Sequence, residues 1–277
     1  MPRNAMTIDV EDYFQVSAFA NHISRDDWPH LPCRVERNMD IILELLDEHE
    51  TRATFFTLGW IAERYPEMVR RIADNGHELA SHGYHHLRAN EQTIDEFRQD
   101  VNRSKGLLED IAGKKIRGYR APSFSINAKN LWALDVLLDE GYEYSSSIYP
   151  IKHDHDGMPD APRFGFRPMG PSGILEIPAT TVPLFGRNLP ASGGGYFRMM
   201  PYPFSRWLMN RVNAMENESC IFYFHPWEID PDQPRQQGVS MKTRFRHYVN
   251  LSKMEAKISA LLSDFQWGRM DEIFLAP

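Results

Sequence analysis

Glu78-Leu79-Ala80-Ser81-His82-Gly83-Tyr84-His85-His86 joins a short predicted strand to two histidines that are four residues apart. If the chain turns helically there, His82 and His86 point the same way, because side chains at i and i+4 are neighbours on one helix face. Two imidazoles are half of a metal site, which a carboxylate and a water can complete. An ordinary pair of histidines without a metal is the alternative. The metal-site hypothesis therefore depends on the residues that follow the other strands.

Predicted strands alternate with predicted helices on both sides of this stretch. Short apolar, β-branched or aromatic runs predict strands at 5–10, 53–58, 77–81, 116–119, 142–146 and 219–224. Apolar residues at helical spacing predict helices at 34–49, 61–74, 93–111, 127–140, 201–217 and 243–262. This alternation indicates an α/β fold with a parallel sheet or barrel wrapped by helices.

Two regions depart from the alternation. Residues 148–195 are rich in Pro and Gly and contain two short extended runs, 164–167 and 174–177, which predicts a β-rich insertion of loops and antiparallel strands. Residues 241–277 are predicted to be a mainly helical C-terminal extension with one last strand at 265–270. Because no internal repeat or linker divides the chain, we expect a single domain over 1–277.

The composition is that of a globular protein with a substantial core, with 42% apolar and 12% aromatic residues. A net charge of −7 and a pI of about 5.9 give no electrostatic reason to expect nucleic acid as a general partner. Two cysteines, Cys33 and Cys220, are not a disulfide framework and indicate a reducing compartment. No apolar run has the length of a signal peptide or a transmembrane helix. The sequence therefore predicts a soluble, cytoplasmic protein and does not indicate an oligomeric state.

Four predicted strands are followed by residues that can carry chemistry. In parallel α/β folds, functional groups gather at the carboxyl ends of the strands. These residues are Asp9, Glu11 and Asp12 after the first strand, His82 and His86 after the third, Arg120 and Ser123 after the fourth, and His225 after 219–224. We therefore expect carboxylates, imidazoles and a guanidinium to converge on one face.

Each of these residues also has a simpler interpretation. The acidic cluster after the first strand could be a solvated turn or a helix N-cap, although a carboxylate that ends an apolar strand is costly without a partner. Arg120 could form an ordinary salt bridge. His225 follows an apolar run, which favours burial and a shifted pKa, but a hydrogen-bonded core histidine would look the same. Trp227 is predicted to be a packing residue.

Four motifs, taken in order, resemble those of the polysaccharide deacetylases, the NodB-homology group of carbohydrate esterase family four. They are Thr7-Ile8-Asp9-Val10-Glu11-Asp12, Ser81-His82-Gly83-Tyr84-His85-His86, Arg120-Ala121-Pro122-Ser123 and Phe222-Tyr223-Phe224-His225-Pro226. The His-x-x-x-His motif is specific to that family when it follows an acidic strand end and precedes an Arg-x-Pro, as it does here. The resemblance covers most of the chain, and the stretch 244–248 resembles a branch found with bacterial exopolysaccharide assembly loci.

The resemblance implies a distorted (β/α)7 barrel of the NodB-homology type. It also implies a metal-dependent hydrolase that removes N-acetyl groups from N-acetylated sugars of a bacterial exopolysaccharide or its precursor and releases acetate. In that pattern the site residues have these roles: Asp9 is the general base, His82 and His86 are metal ligands together with one further carboxylate, Arg120 orients Asp9, His225 is the general acid, and the backbone N–H of Ser123 donates to the oxyanion.

The sequence departs from the family pattern at two places. The common form has two adjacent acids, Thr-Phe-Asp-Asp, whereas Val10 separates Asp9 from Glu11 and Asp12 here. An Asp-x-Asp arrangement would make Glu11 the ligand, whereas a turn after Val10 would favour Asp12, which we prefer slightly because aspartate is the more usual ligand. The Asp-Trp pair that usually supports the acid is missing around 144–147.

Two histidines and a carboxylate make Zn²⁺ the default metal, although Ni²⁺, Co²⁺ or Fe²⁺ can fill such a site. The alternatives to a glycan deacetylase are a small-molecule amidohydrolase of the same fold acting on cyclic ureides and a non-catalytic glycan-binding protein. A wide groove lined by Trp60, Tyr84, Phe124 and Trp227 would favour a glycan, and a small closed pocket would favour the ureide. The basic stretch 244–248 could make a peripheral membrane contact, but a solvated helix face is the preferred interpretation.

Overall fold

The computed structural model describes residues 2–152 and 157–275. Residues 153–156 of the expected insertion and 276–277 of the expected extension lie outside the described residues. The strands are β1 (Asn4–Val10), β2 (Thr54–Thr57), β3 (Glu78–Ser81), β4 (Gly118–Tyr119), β5 (Tyr144–Ser145), β6 (Leu175–Glu176), β7 (Thr181–Leu184), β8 (Arg187–Pro190), β9 (Ile221–Phe224) and β10 (Trp267–Gly268). The α-helices are α1 (Val35–Glu48), α2 (Gly59–Arg64), α3 (Pro66–Asp74), α4 (Ile94–Ala112), α5 (Trp132–Asp139), α6 (Gly194–Met199), α7 (Tyr202–Arg211), α8 (Met241–Tyr248), α9 (Met254–Asp264) and α10 (Met270–Phe274).

The predicted fold of parallel strands wrapped by helices is confirmed. Strands β1 to β6 follow one another across the sheet, and β1 also pairs with β9 and β10, all in parallel. In the described part of the chain no strand pairing joins β6 to β9, so the sheet curls into an incomplete barrel. The backbone N–H of Ile221 at that gap donates to the Thr180 hydroxyl at 2.7 Å. All the carboxyl ends of these strands therefore face the same rim.

Strand β1 lies at the centre of the molecule and is buried at every residue. A strand with neighbours on both sides and helices over its outer face reads as a continuous apolar run, as Ala5-Met6-Thr7-Ile8 does apart from its threonine. Helix α1 packs over the sheet with Met39, Ile42 and Leu46. The predicted capping box of α4 is present, because Thr93 accepts from the Glu96 N–H while Glu96 accepts from the Thr93 N–H.

Three local predictions are wrong in whole or in part, and each has a backbone reason. The run 174–177 is only in part the predicted antiparallel strand: Glu176 forms a single antiparallel bridge with Phe166 of the run 164–167, but the run also supplies β6, which joins the parallel sheet beside β5. The two-stranded antiparallel sheet is formed by β7 and β8. The predicted helix 243–262 is two helices, α8 and α9, because Asn250 adopts a left-handed φ of 52° between them. None of the described helices has both the length and the apolar composition needed to span a bilayer.

The third error concerns the histidine stretch itself. After β3 the chain runs as a loop with φ of 74° at Gly83 and 54° at His86, and no helical turn forms there. Asp100 of α4 holds this loop by accepting from the N–H groups of Tyr84 and His85. The rings of His82 and His86 still approach to 5.3 Å between centroids. The loop therefore brings them together by a different route from the expected i, i+4 stacking.

Candidate metal and catalytic site

Strand β1 ends in a tight turn that delivers two carboxylates to the rim. The N–H of Glu11 donates to the carbonyl of Asp9 at 3.0 Å, which bends the chain directly after Val10. Asp9 and Glu11 are each only 2% exposed. Buried carboxylates at a strand end require partners, because an unpaired charge in an apolar environment is strongly destabilising.

Glu11, His82 and His86 form a buried cluster whose possible ligand atoms all lie within 4.8 Å of one another. The Oε2 atom of Glu11 lies 2.8 Å from Nε2 of His86, without the geometry of a hydrogen bond. His82 Nδ1 lies 2.8 Å from the Arg120 carbonyl, an acceptor, so the proton is on Nδ1 and the Nε2 lone pair is left for a ligand bond. Burial lowers the pKa of His82 to about 4, which keeps the ring neutral.

The donor set fits a divalent metal. Two imidazoles and a carboxylate, with a water, are the ligands of many catalytic zinc sites. Burial opposes ionisation of Glu11, but His86, His225 and His82 together hold its pKa at about 2, so the ligand is an anion. Oε2 of Glu11 is buried and forms no hydrogen bond of good geometry, although His86 Nε2 lies 2.8 Å away. A cation is the group that would satisfy it.

Asp12 is not part of this cluster, and the slight preference for it as the ligand is not supported. Its Oδ2 accepts from the N–H groups of Arg34 and Val35 at 2.6 and 3.0 Å, and its Oδ1 accepts from the N–H of Tyr13 at 2.8 Å. Asp12 therefore satisfies the first N–H groups of α1. Burial raises the pKa of Asp12 to about 6, although the three N–H donors oppose the rise. The turn after Val10 points Glu11, rather than Asp12, at the histidines.

Arg120 is hydrogen-bonded to Asp9, the residue that the family resemblance implies it orients. Its fully buried guanidinium donates from Nη1 to Asp9 Oδ1 at 2.6 Å and to the Thr7 hydroxyl at 2.8 Å. Its Nη2 donates to the Ser146 hydroxyl at 3.1 Å. Ser146 lies in the stretch where the usual support of the acid is missing, and here it holds the arginine. Asp9 therefore keeps Oδ2 on the side of the cavity.

His225 follows β9 and is supported by a residue that our sequence analysis did not assign. Its Nδ1 lies 2.7 Å from Oε1 of Glu228, which also accepts from the His225 backbone N–H at 3.2 Å. Nε2 therefore faces the cavity, 3.8 Å from Asp9 Oδ2 and 3.6 Å from Glu11 Oε1. Burial lowers the pKa of His225, but Glu11, Glu228 and Asp9 together raise it to about 9. This shift favours the protonated form of the ring at neutral pH.

Ser123 lies on the opposite wall with an unusual backbone. Its φ of 58° is in the left-handed region, and its hydroxyl is hydrogen-bonded to that of Ser17 at 2.5 Å. Ser123 lines the same cavity of about 220 Å³ as Asp9, Glu11, His82, His86 and His225. The structure therefore brings together every expected site residue except Asp12.

Aromatic residues line the cavity, but only two of the four expected ones do. Trp60 and Tyr84 pack in the core. Phe124 and Trp227 line the cavity together with three tyrosines, Tyr149, Tyr196 and Tyr223. Trp227 also donates its indole N–H to Glu11 Oε1 at 3.2 Å, so it is a site contact as well as a packing residue.

Two further residues of the site were missed. Glu228 lies three residues after His225 with a proline between them, a capping-box spacing that could have indicated its role. Arg198 donates from Nε to Glu228 Oε2 at 2.7 Å with both side chains buried. No local pattern connects Arg198 to a residue thirty positions later, so a single sequence gives no signal for it.

Two family models match adjoining parts of the chain. The model described as polysaccharide deacetylase matches residues 22–144, which include His82, His86, Arg120 and Ser123. Residues 22–144 belong to the polysaccharide deacetylase family. The model described as a domain of unknown function, DUF3473, matches residues 146–275, which include His225, Glu228 and Arg198. The deacetylase domain therefore carries the histidine pair, whereas the second match carries the proposed acid.

Curated relatives are similar to this chain over about a third of its length. A peptidoglycan-N-acetylglucosamine deacetylase of Bacillus cereus is 36% identical over 95 residues, which are 34% of this chain and 34% of that protein. A peptidoglycan deacetylase of Helicobacter pylori is 32% identical over 39% of this chain and 36% of its own length. A chitooligosaccharide deacetylase of Azorhizobium caulinodans is 30% identical over 36% of this chain and 46% of its own length. The matches thus span a third to a half of these relatives.

Solved structures share the fold over nearly the whole chain. A protein from Mycobacterium smegmatis assigned to the polysaccharide deacetylases superposes with a TM-score of 0.60 at 21% identity, over 99% of this chain and 90% of its own. A pseudoenzyme of carbohydrate esterase family four from Bacillus anthracis gives 0.50 at 14% identity, over 98% of this chain and 64% of its own. The two matched regions therefore build one fold, which these solved proteins share, and one of those proteins is described as a pseudoenzyme.

Proposed function

We propose that this protein is a metal-dependent hydrolase that removes N-acetyl groups from sugars of a bacterial polysaccharide or its precursor and releases acetate. The observation that carries the proposal is the meeting of a base, a ligand cluster and a proton donor in one cavity. Asp9, the Glu11–His82–His86 cluster and His225 come from three separate parts of the chain. Binding a glycan alone requires neither an oriented carboxylate nor a cationic imidazole opposite it.

Glu11, His82 and His86 would hold the metal, and zinc is the default for this donor set. A divalent cation there supplies positive charge that polarises an acyl oxygen and makes a water more acidic. The chain prepares the ligands for this role: Trp227 holds Glu11 Oε1, and the Arg120 carbonyl fixes the tautomer of His82.

Asp9 and His225 would move the two protons of amide hydrolysis. Asp9 accepts the proton of the attacking water through Oδ2, because Arg120 occupies Oδ1. The water oxygen bonds to the acyl carbon, and the C–N bond then breaks. His225 gives the proton on Nε2 to the departing nitrogen, so that a neutral amine leaves rather than an amide anion. The backbone N–H of Ser123 would donate to the acyl oxygen, which is negatively charged after the water oxygen has bonded and before the C–N bond breaks.

The shape around the site favours a glycan over a cyclic ureide. The catalytic cavity of about 220 Å³ shares Val16 and Ser17 with two larger cavities, of about 830 and 560 Å³. One of these also reaches His86, and the other also reaches His225. A depression that continues on both sides of the reacting group suits a substrate of several sugar units. An exopolysaccharide substrate and a cytoplasmic location stay predictions, as does a peripheral membrane contact.

The decisive experiment measures acetate release together with metal content. The purified chain, loaded with zinc, is incubated with N-acetylglucosamine oligomers and with peptidoglycan fragments. We expect acetate from at least one of them and loss of turnover after chelation, restored by adding metal back. A protein that binds no metal and releases no acetate from either class, or one that hydrolyses a cyclic ureide instead, would refute the proposal.

A further inference from the structure

We infer that Arg198 and Glu228 are positioning residues for His225, and that supplying them is a function of the region 146–275. The inference rests on the proposed function, because it assigns a part to the pair in presenting the proton donor. It goes beyond the family resemblance, in which the acid is supported from the stretch that here contains Ser146. Neither residue touches the reacting group, so both act through His225.

Glu228 has a defined contact for each carboxylate oxygen. Oε1 accepts from Nδ1 and from the backbone N–H of His225, whereas Oε2 accepts from Arg198 Nε at 2.7 Å. Both side chains of the Glu228–Arg198 ion pair are at most 2% exposed. A carboxylate held in this way at Nδ1 fixes the tautomer and the tilt of the imidazole, so that Nε2 faces the cavity.

Arg198 is itself held by the end of α8. Its Nη1 donates to the carbonyls of His247 and Val249 at 2.9 and 2.7 Å, and its Nη2 donates to the carbonyl of Arg246 at 3.3 Å. These carbonyls at the carboxyl end of a helix lack helical partners, so the guanidinium satisfies them. The guanidinium thus uses its remaining donors to fix its own position. A shift of Glu228 would therefore break its hydrogen bond to Arg198 Nε.

One face of the His225 ring also packs against an aromatic ring. Trp227 is stacked between His225 and His247, with ring centroids 5.2 and 4.2 Å away and interplanar angles of 20° and 11°. Helix α6 begins against the same carboxylate, because a Cβ atom built on Gly194 would lie 2.2 Å from Glu228 Oε1. The next residue, Gly195, has nothing within 4 Å of such an atom. A side chain at position 194 would therefore collide with Glu228, whereas a methyl group at position 195 would meet no other atom.

A structural ion pair is the alternative, since removing one partner of any buried pair destabilises a protein. Substitutions at Gly194 and Gly195 distinguish a positioning role from a purely structural ion pair without removing a charge. Gly194→Ala is expected to push Glu228 away from His225, whereas Gly195→Ala should leave it in place. Glu228→Gln keeps the size of the side chain, and Arg198→Lys keeps the charge but loses the fork of donors. Arg163→Lys, in the separate Arg163–Glu216 pair, is the matched control for the arginine change.

Two measurements test the inference on the zinc-loaded full chain. Proton–nitrogen NMR with ¹⁵N-histidine should show a downfield Nδ1–H signal that disappears in His225→Gln. We expect that signal to move or vanish in Glu228→Gln, Arg198→Lys and Gly194→Ala, and to be unchanged in Gly195→Ala and Arg163→Lys. With an active oligosaccharide, kcat should fall about 10- to 100-fold in the first three variants while KM changes less than about twofold.

The outcomes distinguish this inference from the proposed function. If the wild type releases no acetate, the function fails, while the NMR signal still tests the positioning. If the signal stays in place in Glu228→Gln and Gly194→Ala, the positioning role is wrong whatever the turnover. It is also wrong if the losses lie in KM, because a positioned proton donor acts on the chemical step.

Discussion

Asp9, Glu11 and Asp12 lie within four residues of one another, yet each carboxylate has a different environment. Asp9 receives Arg120, Glu11 faces two imidazoles, and Asp12 accepts three backbone N–H groups. The difference comes from the turn after Val10. Successive side chains of a strand point to opposite faces, so a turn at this place changes the direction of each side chain that follows it. Roles at this strand end are therefore specific to position and cannot be exchanged.

Glu11→Gln and Asp12→Ala should have opposite effects on metal content and stability. Glu11→Gln removes an anionic ligand, so we expect metal affinity to fall about tenfold or more with a small change in stability. Asp12→Ala removes the cap of α1 and should cost about 1–2 kcal/mol of unfolding free energy while the metal is retained. Titration with zinc and chemical denaturation of both variants measure this. Metal loss in Asp12→Ala with retention in Glu11→Gln would reverse our assignment.

His82→Ala and Asp9→Asn should separate metal binding from catalysis. His82→Ala is expected to lose both metal and acetate release, because one of the two imidazole ligands is gone. Asp9→Asn should keep the metal and lower kcat by about 10²- to 10⁴-fold, because an amide cannot accept the proton of the water. Metal analysis and initial rates of acetate release for both variants distinguish the two roles, and the reverse pattern would exchange them.

At the scale of elements, the joint between β2 and β3 contains a histidine whose titration should be visible in stability. His77 Nδ1 accepts from the N–H of Ala53 at 3.2 Å, which requires the neutral ring. Burial, with help from Arg52 and Arg269, lowers its pKa to about 4. In the unfolded chain the ring titrates near pH 6.5. Between these values the unfolded state binds more protons than the folded state.

His77→Asn should therefore flatten the acid side of the stability curve. The wild type has the full contribution of neutral His77 above about pH 6.5 and loses it as the pH falls towards 4, by at most about 3 kcal/mol. The amide oxygen of the introduced asparagine can accept the same N–H, but the side chain does not titrate. Urea unfolding at pH 7 and pH 4.5 gives the difference between the two proteins. An equal loss in both would show that His77 contributes nothing to the acid sensitivity.

The elements also show how far the sequence can predict this fold and site. The strand ends were predictable because short apolar runs followed by His82, Arg120 and His225 need only a parallel sheet to converge. The position of Glu11, rather than Asp12, beside the two histidines was not predictable, because it depends on one backbone turn. The break at Asn250 depends on a left-handed residue inside a helical pattern. The Arg198–Glu228 contact depends on how α6 packs against β9, which no local periodicity encodes.

At the scale of the whole molecule, β1 joins the two regions that the family models match separately. It pairs with β2 of the first region and with β9 and β10 of the second, and the Asn4 and Asn213 side chains hydrogen-bond to each other across this junction. Asp230, after β9, forms an ion pair with Arg34 at the start of α1. The two matched regions therefore share one sheet and one core.

A fragment of residues 1–145 should not fold on its own. It would expose one whole edge of β1 and the apolar face that β9 covers, which leaves unpaired backbone groups and a large apolar surface. We expect no cooperative thermal transition and low solubility, in contrast to the full chain. Circular dichroism and scanning calorimetry make the comparison. A cooperative transition in the fragment would show that the deacetylase domain is an autonomous unit.

The position of β9 late in the chain has a consequence for biosynthesis. A ribosome releases Asp9 and Glu11 first, then His82, His86 and Arg120, and exposes His225 only after some four-fifths of the chain. The nascent polypeptide thus carries the proposed base and all three proposed metal ligands well before it has the proposed proton donor. Because β9 must dock beside β1 to bring His225 into place, hydrolytic competence would begin with one late folding event rather than build up gradually. We therefore expect a translation product that stops short of β9 to be inactive, because it lacks His225.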